Sequence, residues 1–533
     1  MSRPAAAAGD AGAAPADPAA LRRLVDLAPE LAARLRAIGY TAEGLAGLLG
    51  AAGLAALDRA EPAAVAHAVD LAAAGGAAPE LVAAVRGLIL EQPADLAGAL
   101  GAGLRDRLLA AGLLEAHPGG QRARVDLRPV RIGGAERLVL SDRDASMRPR
   151  IPGREHVPGV GRASRSLLDI TPLDPVAAVL DLGAGCGVQA LGQLDAGALT
   201  LTDVSERANL LSRATMAANG RPDAEVLAGG WFDPVAGRRF DRIVANPPFV
   251  VGPPEVGHVY RDSGLDLDGA TRTLLSGIAG HLTASGSAHL LGSWVHPAEG
   301  DWAARVASWV PAEGAAVWVV QRDAVDPAAY VGTWLRDEGV DPRSAEGRRR
   351  SREWLGHLAA AGVATVGFGY VTVHRIDGPS TVTCEEAAQP MAGAFRDEAV
   401  EHRLRERWLA AAGAGGIAAG RFRLRPGVAL ERVGLADAAA GQGFALAALR
   451  LTRTDGPRWS HDIDEPVAAL LGALHPQAPL RLTVELLHGF GAFGEADPEA
   501  VLAAAVPVVA DLVRHGMVLP EELLAPLSGP PTR

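Results

Sequence analysis

A regular alternation of strands and helices between residues 177 and 375 constrains the fold of this chain of 533 residues more than any other feature. Short apolar runs alternate there with helical stretches such as residues 205–219 and 270–282. Such alternation indicates an α/β architecture, a mostly parallel, doubly wound sheet with helices on its faces. The predicted strands are AAVLDLG (177–183), LTLTD (199–203), AEVLAG (224–229), DRIVAN (241–246), SAHLLGS (287–293), AAVWVVQ (315–321) and VATVGFGYVTVHR (363–375).

Different patterns flank this central region. The N-terminus is rich in alanine but broken by proline and aspartate, which predicts a disordered tail rather than a signal peptide. Helical periodicity follows, and then two short strands joined at Gly133 and Gly134; a winged-helix-like unit and a helical cap with a hairpin explain them equally well. The predicted domains are the tail (1–20), a helical N-terminal domain with a β-hairpin (21–150), the alternating domain (151–375) and an α+β C-terminal accessory domain (376–533), for which a winged-helix-like arrangement is one alternative.

Composition excludes several function classes. The formal net charge is −11, which argues against wholesale nucleic-acid binding but allows a local arginine patch. The two cysteines, Cys186 and Cys384, are too few for a disulfide framework or a cysteine-built zinc site. They fit a reducing compartment, so we expect a cytoplasmic protein without a metal site. No apolar run reaches the roughly 18 residues that a membrane span needs.

Arginines supply every basic side chain, because the sequence contains no lysine. The run Arg348-Arg349-Arg350 lies in a predicted helical insert and is typical of a solvated helix face. A second group precedes the first predicted strand of the sheet. It is a candidate for guiding a phosphate backbone, although a solvated surface is the commoner explanation. Its members are Arg143, Arg148, Arg150, Arg154, Arg162 and Arg165.

A glycine-rich turn follows the first predicted strand of the sheet. The stretch VLDLGAGCG (179–187) has the spacing G-x-G-x-G, with Val188 where dinucleotide-binding proteins carry a third glycine. Glycine lets a backbone turn tightly and approach a ligand closely. The candidate cofactor-binding residues of this turn are Asp181, Gly183, Ala184, Gly185, Cys186 and Gly187. Cys186 is expected to pack there rather than to act as a nucleophile.

Two further candidates end the next two strands. Asp203 lies 16 residues after Gly187, where a carboxylate can accept both hydroxyls of a ribose; capping the helix that begins near Ser205 is the alternative. Trp231 offers an apolar face to an adenine, although a tryptophan at such a place is more often part of the core. His258 and Tyr260 either line a substrate mouth or simply pack.

Asn246-Pro247-Pro248-Phe249 follows the fourth strand, at the same edge of the sheet. A planar amide or amine nitrogen is a poor nucleophile because its lone pair is delocalised. The oxygen of Asn246 and a proline carbonyl can accept its two N–H hydrogens, which orients the nitrogen and favours the charge that develops on it. Prolines fix the direction of the carbonyl, and Phe249 can stack on the planar group. These four residues are the candidate catalytic residues.

These motifs, in this order, resemble class I S-adenosylmethionine-dependent methyltransferases with an NPP[FY] motif, and most of all the HemK-type protein-glutamine N5-methyltransferases and the methyltransferase small-domain family. The stretch YRDSGLDLDG (260–269) is similar to a Gly-Gly-x-Asp-Gly stretch of the family. The resemblance implies a Rossmann-like, seven-stranded sheet and S-adenosyl-L-methionine as cofactor. It also implies that residues 183–187 wrap the methionine part, Asp203 holds the ribose, Trp231 lines the adenine pocket, and residues 246–249 grip the target nitrogen.

The expected function is therefore N-methylation of a planar nitrogen in a macromolecule. The preferred target is a protein glutamine of the translation machinery, such as that of a release factor. The first alternative is guanine N2 or adenine N6 of ribosomal RNA, because Phe249 is common among those enzymes. A non-catalytic RNA- or protein-binding module is the alternative from another class. No membrane partner is expected, and the sequence makes no prediction of the oligomeric state.

Overall fold

A computed structural model describes residues 15–387, 389, 391 and 396–527 of the chain. The chain divides into two compact units, one up to Glu385 and one from Glu386 onward. Most of the predicted tail, residues 1–14, lies outside the described residues. The last residues assigned to the tail are ordered, because Asp17 caps the first helix by accepting the backbone N–H of Ala20 at 2.7 Å.

The first part of unit one is helical and ends in two hairpins. The apolar face of α1 packs against α8 of the sheet domain and buries Leu21, Leu24 and Leu31. Gly133 and Gly134 have φ of 58° and 81°, as the predicted hairpin turn requires. The elements are α1 (Pro18–Ala37), α2 (Ala42–Asp58), α3 (Pro62–Ala74), α4 (Pro79–Ala84), α5 (Ala97–Leu100), α6 (Ala102–Ala110), β1 (Leu114–His117), β2 (Gly120–Ala123), β3 (Asp126–Ile132) and β4 (Ala135–Ser141).

The rest of unit one is a sheet flanked by helices. Its elements are α7 (Arg162–Ile170), β5 (Ala178–Leu182), β6 (Ala198–Asp203), α8 (Glu206–Ala218), β7 (Glu225–Ala228), β8 (Phe240–Ala245), α9 (Gly269–Gly277), β9 (Leu282–Pro297), α10 (Trp302–Ala307), β10 (Glu313–Val325), α11 (Pro327–Asp337), α12 (Ala345–Ala360), β11 (Val363–Pro379) and β12 (Thr381–Glu386).

The strand order across this sheet is β12-β10-β11-β9-β8-β5-β6-β7. The pairs from β9 to β7 are parallel, whereas β11 runs antiparallel to both β9 and β10. The Rossmann-like, mostly parallel α/β fold is thus confirmed, and each of the seven predicted strands is present. An eighth strand, β12, extends the sheet beyond residue 375, so the sheet ends later than the predicted domain boundary.

Strand β5 lies in the middle of the sheet and is nearly continuous apolar sequence because both faces of the sheet are covered. From β5 the chain adds β6 and β7 on one side and then returns to add β8 and β9 on the other side. The strand order therefore changes direction at β5. Ligands of open α/β sheets bind outside the carboxyl ends of strands at such a switch point. The fold therefore places the glycine turn after β5 and the NPPF sequence after β8 at one edge.

The second unit is described by itself. It contains α13 (Arg396–Ala419), β13 (Phe422–Leu424), β14 (Val428–Ala436), β15 (Phe444–Arg453), β16 (Ser460–Ile463), α14 (Glu465–Ala473), α15 (Leu480–Gly489), α16 (Pro498–Arg514), β17 (Val518–Pro520) and α17 (Glu521–Leu527). Strand β17 follows α16 and pairs antiparallel with β13. The buried carboxylate of Glu398 forms ion pairs with Arg405 and Arg453, at 2.5 Å each. These ion pairs give the buried guanidinium groups of this unit a carboxylate partner.

Among the helices of the described segments, none is by itself both long and apolar enough to cross a membrane. Helices α1 and α2 meet the length and composition criteria only as a pair, with a bend of 54° between them.

Candidate active site

A cavity of about 300 Å³, the main cavity, opens at the carboxyl ends of four parallel strands. Its lining includes Gly183, Gly185, Asp203, Trp231 and Asn246, one or more residues from the end of each of β5, β6, β7 and β8. Residues 155–159, which precede α7, also line the cavity. The sheet thus brings together residues that lie as many as 63 positions apart in the sequence.

The glycine turn has the backbone conformation that its sequence predicts. Gly183, Gly185 and Gly187 have φ of 70°, 56° and 82°, values that strain residues with a Cβ. Gly183 to Cys186 line the main cavity, whereas Gly187 lies behind them, where an added Cβ would come within 3.2 Å of Met216. Gly187 therefore contributes to the turn by allowing close packing against α8.

Asp181 and Cys186 are placed differently from each other. Asp181 is fully buried, does not line the main cavity, and accepts the backbone N–H of Ala190 at 2.9 Å, so it braces the chain after the glycine turn. The expectation that Asp181 contacts a cofactor does not fit this position behind the turn. The buried thiol of Cys186 lies 3.2 Å from the carbonyl of Pro158, and burial raises its pKa. Cys186 therefore packs as a neutral thiol, as expected.

Asp203 faces the main cavity with both carboxylate oxygens anchored. One oxygen accepts the N–H of Gly185 and the other that of Ser205, each at 2.9 Å. Helix α8 is capped by the hydroxyl of Ser205, so the cap does not depend on Asp203. Each oxygen of a carboxylate can accept more than one hydrogen bond, so both oxygens of Asp203 can still accept hydrogen bonds from a ligand. The two backbone N–H groups fix the orientation of the carboxylate beside the glycine turn. Asp203 is thus well placed for two neighbouring hydroxyls.

Trp231 lines the main cavity and is half-buried against the core of the sheet domain. Its φ of 48° is unusual for a residue other than glycine and directs the chain around the end of β7. Val204, which is 61% exposed, belongs to the same lining. The lining thus offers apolar surface of the kind that a flat heterocycle contacts.

Asn246, Pro247 and Pro248 also line the main cavity. Within the described segments, no protein group hydrogen-bonds the side chain of Asn246 or the carbonyl of Pro247. Those two acceptors therefore stay available to a ligand. Phe249 does not line the cavity, and its carbonyl accepts a hydrogen bond from the hydroxyl of Ser293. The structure therefore does not show the expected stacking surface of Phe249.

The NPPF loop, residues 246–252, is held from outside by the helical insert between β10 and β11. The N–H of Val251 donates to the phenol oxygen of Tyr330 at 2.6 Å, and its carbonyl accepts the indole N–H of Trp354 at 3.1 Å. The N–H of Val250 donates to the carbonyl of Arg261 at 3.1 Å. Tyr330 and Trp354 belong to α11 and α12, so the insert fixes the end of the loop.

A buried ion cluster joins the same insert to the chain after the loop. Glu338, whose side chain is 2% exposed, pairs with both Arg261 and Arg350. Arg350 is therefore partly buried and structural, which corrects the expectation that the whole run 348–350 is a solvated helix face. Arg349 does follow that expectation, because it pairs on the surface of α12 with Glu346 and Glu353.

Other residues of the lining were not singled out by sequence patterns. They include Glu155, His156, Val157, Pro158, Gly159, Ser164 and Gln189, whereas Asp262 and Ser263 of the lining belong to the stretch YRDSGLDLDG (260–269). Tyr260 lines the cavity, which is one of the two positions expected for it. Its hydroxyl donates a hydrogen bond to Asp337 at 3.1 Å. Within the part of the chain that the structure describes, no group of three or more His, Cys, Asp or Glu side chains has a metal-binding arrangement.

Comparison with protein families identifies two segments. Residues 158–262 match the family described as methyltransferase small domain, which spans the glycine turn, Asp203, Trp231 and the NPPF loop. Residues 400–520 of the second unit match a family described only as a domain of unknown function. The resemblance of the motifs to class I S-adenosylmethionine-dependent methyltransferases of the small-domain type is thus confirmed for this segment of the sheet domain.

Curated relatives match one segment of this chain. The proteins named ribosomal RNA small subunit methyltransferase C from Salmonella choleraesuis and Salmonella paratyphi B are 38% and 36% identical to it over 144 residues. The matched segment is 26% of this chain, and the chain spans 38% of the length of those relatives. Among solved structures, the T. thermophilus 16S rRNA N2 G1207 methyltransferase in complex with AdoMet and guanosine is 20% identical, with a TM-score of 0.24, covering 36% of this chain and 53% of that one.

Proposed function

We propose that this chain transfers a methyl group from S-adenosylmethionine to the exocyclic amine of a base in ribosomal RNA, with guanine N2 as the first candidate. One observation carries the proposal. The free acceptors of Asn246 and Pro247 line the same cavity as Asp203 and the glycine turn. A donor held by the turn and an acceptor amine held by the NPPF loop would meet in that cavity.

The lining fits S-adenosylmethionine. Two fixed oxygens of Asp203 suit the ribose, the apolar surfaces of Trp231 and Val204 suit the adenine, and positive-φ glycines leave room for the methionine part. A volume of about 300 Å³ lies at the lower end of small-molecule sites. When bound, the cofactor supplies an electrophilic methyl group on a sulfonium.

The protein's own contribution is orientation and electrostatics. Asn246 and the carbonyl of Pro247 accept the two N–H hydrogens of the amine and direct its lone pair toward the donor. Positive charge develops on the nitrogen as the new bond forms, and the same oxygens stabilise that charge. The extra proton becomes acidic on the alkylated nitrogen and leaves to solvent, so the transfer needs no dedicated base.

The names of the curated relatives favour an RNA base over the protein glutamine that the sequence analysis preferred as target. Their printed names specify ribosomal RNA of the small subunit. The segment that matches the methyltransferase small domain includes the NPPF loop. Phe249 at the last position of the motif agrees with the same alternative. A glutamine amide presents the same pair of N–H hydrogens, so Asn246 and Pro247 alone do not separate the two targets.

Tritiated methyl transfer separates them directly. The purified chain is incubated with labelled S-adenosylmethionine and small ribosomal subunits, and in a parallel sample with a release factor. Each product is divided between ribonuclease and protease, and labelled RNA is digested to nucleosides. We expect the label in RNA, as N2-methylguanosine. Label in the release factor would restore glutamine as the target, and absence of cofactor binding by calorimetry would favour a non-catalytic module.

A further inference from the structure

A second cavity, of about 290 Å³, lies beside the main one and is lined mostly by charged side chains. We call it the arginine cavity. Its charged lining consists of Arg124, Arg143, Arg150, Arg207, Asp142 and Glu155. It is formed where the N-terminal hairpins, the segment before α7 and helix α8 of unit one meet.

Three of these arginines already have carboxylate partners. Arg143 and Arg150 both hydrogen-bond the buried carboxylate of Glu91, at 3.2 Å and 2.9 Å. Arg207 forms a two-pronged pair with Asp142, one prong of which is 2.7 Å. These pairs hold the arginines in fixed positions, so their remaining N–H groups do not have to be ordered when an anion arrives.

Arg124 differs from the other three. Its Nε is buried, and within the described residues no group accepts a hydrogen bond from it. Four guanidinium groups stand against Asp142 and Glu155 of the lining and Glu91 behind it. The nearby carboxylate of Glu115 is already paired with Arg122 at 2.8 Å. His156 adds no charge at neutral pH, because burial lowers its pKa. The cavity therefore holds an excess cation in a chain whose formal net charge is −11.

The pKa of Arg143 agrees with this excess. Burial lowers it to about 10, and the neighbouring Arg150 and Arg122 lower it as well, against the opposing effect of Glu91. An arginine in such surroundings is stabilised by any anion that enters the cavity.

The two cavities share a wall. Glu155 and His156 line both of them, and Val157 of the main cavity donates its N–H to Asp142 of the arginine cavity at 3.0 Å. The ring of His156 also meets Tyr260 edge-on, with ring centroids 5.8 Å apart. A nucleotide whose base enters the main cavity therefore has a cationic pocket next to it for a phosphate.

We propose that the arginine cavity is a phosphate subsite that binds a phosphodiester of the RNA next to the target nucleotide, with Arg124 as the arginine that the phosphate neutralises. This assignment rests on the proposed function for the identity of the RNA. The subsite differs from the arginine patch expected from the sequence, because exposed Arg154, Arg162 and Arg165 lie outside it and Arg124 and Arg207 are new members.

The test uses the full chain and two matched variants. Arg124→Gln removes the excess cation, whereas Arg162→Gln removes an exposed arginine of α7 outside the cavity. Binding of a short single-stranded RNA is measured by fluorescence anisotropy over a range of salt concentrations. Stabilisation by inorganic phosphate is measured in parallel by thermal unfolding, and calorimetry with S-adenosylmethionine verifies that both variants keep their fold and main cavity.

We expect Arg124→Gln to weaken RNA binding about tenfold and to lower the slope of log affinity against log salt by about 0.7, the loss of one phosphate contact to a single strand. It should also lose the stabilisation by phosphate, and Arg162→Gln should change neither measurement. Loss of the phosphate effect with an unchanged RNA slope would assign the site to a free anion and overturn the RNA assignment. Equal behaviour of the two variants would overturn the subsite altogether. Neither measurement depends on methyl transfer, so failure of the proposed reaction is recognised separately.

Discussion

Tyr330→Phe tests whether the helical insert controls the NPPF loop. The substitution keeps the ring, which packs against Trp354 and Phe368, and removes only the oxygen that accepts the N–H of Val251 at 2.6 Å. Val251 is fully buried, so water does not replace that acceptor. A buried donor left without a partner costs about 1–3 kcal/mol.

That free energy acts on the loop that presents Asn246. If all of it opposes the productive loop position, the methyl-transfer rate falls by about 5- to 150-fold. The bond from Trp354 to the carbonyl of Val251 and the bond from Val250 to Arg261 remain, so the loop shifts rather than detaches. We therefore expect a loss of about tenfold in kcat, with the Kd for S-adenosylmethionine changed by less than about twofold.

Single-turnover methyl transfer, cofactor calorimetry and thermal unfolding measure these quantities. Tyr40→Phe is the matched control, because the buried hydroxyl of Tyr40 donates to the carbonyl of Leu127 at 2.7 Å, away from the loop. Both variants should lose a similar amount of stability, but only Tyr330→Phe should lose turnover. Unchanged turnover in Tyr330→Phe, or an equal loss in Tyr40→Phe, would refute the control of the loop by the insert.

Three further variants test the rest of the site. Asn246→Ala should lower kcat by about a hundredfold or more while calorimetry shows unchanged cofactor affinity, and normal turnover would remove Asn246 from the chemistry. Asp203→Ala should raise the Kd for S-adenosylmethionine by about 10- to 100-fold through lost hydrogen bonds, and an unaltered Kd would exclude the ribose contact. Burial raises the pKa of Asp181 to about 7 in the folded chain, above its unfolded value of about 4, so the stability of the wild type should fall as pH rises between these values and level off above them. Asp181→Asn should remove this pH dependence of the free energy of unfolding, a change of a few kcal/mol at most, as measured by denaturant titrations across that pH range. Parallel curves of stability against pH for the two proteins would contradict the raised pKa of Asp181.

The sequence predicts the sheet and the residues at its edge because both are local. Each strand is a short apolar run, and the residues after β5, β6 and β8 carry the glycine turn, Asp203 and Asn246. Parallel strands place their carboxyl ends together, so three separate motifs become one site without any knowledge of side-chain packing. The same rule does not say which residue of a motif faces the cavity, and Asp181 and Phe249 were expected in contacts that their positions do not show.

The parts that the sequence does not predict depend on long-range packing. Tyr330 and Trp354 lie about 80 and 100 positions after Val251 and have no characteristic spacing from it. The environment of the clustered arginines is not predicted from the sequence for a related reason. Neighbours in sequence such as Arg349 and Arg350 point to solvent and to Glu338, respectively, because a helix turns about 100° per residue. Charge runs alone therefore do not distinguish a surface from an ion pair.

The attachment of the NPPF loop to α11 and α12 determines how small an active fragment can be. The segment that matches the methyltransferase family stops at residue 262, whereas Tyr330 and Trp354, which hold Val251 of its acceptor loop from outside, come after residue 326. A fragment cut before α11 retains all the recognisable sequence motifs but loses the outer support of that loop. Motif content and catalytic self-sufficiency are thus separate properties of this chain.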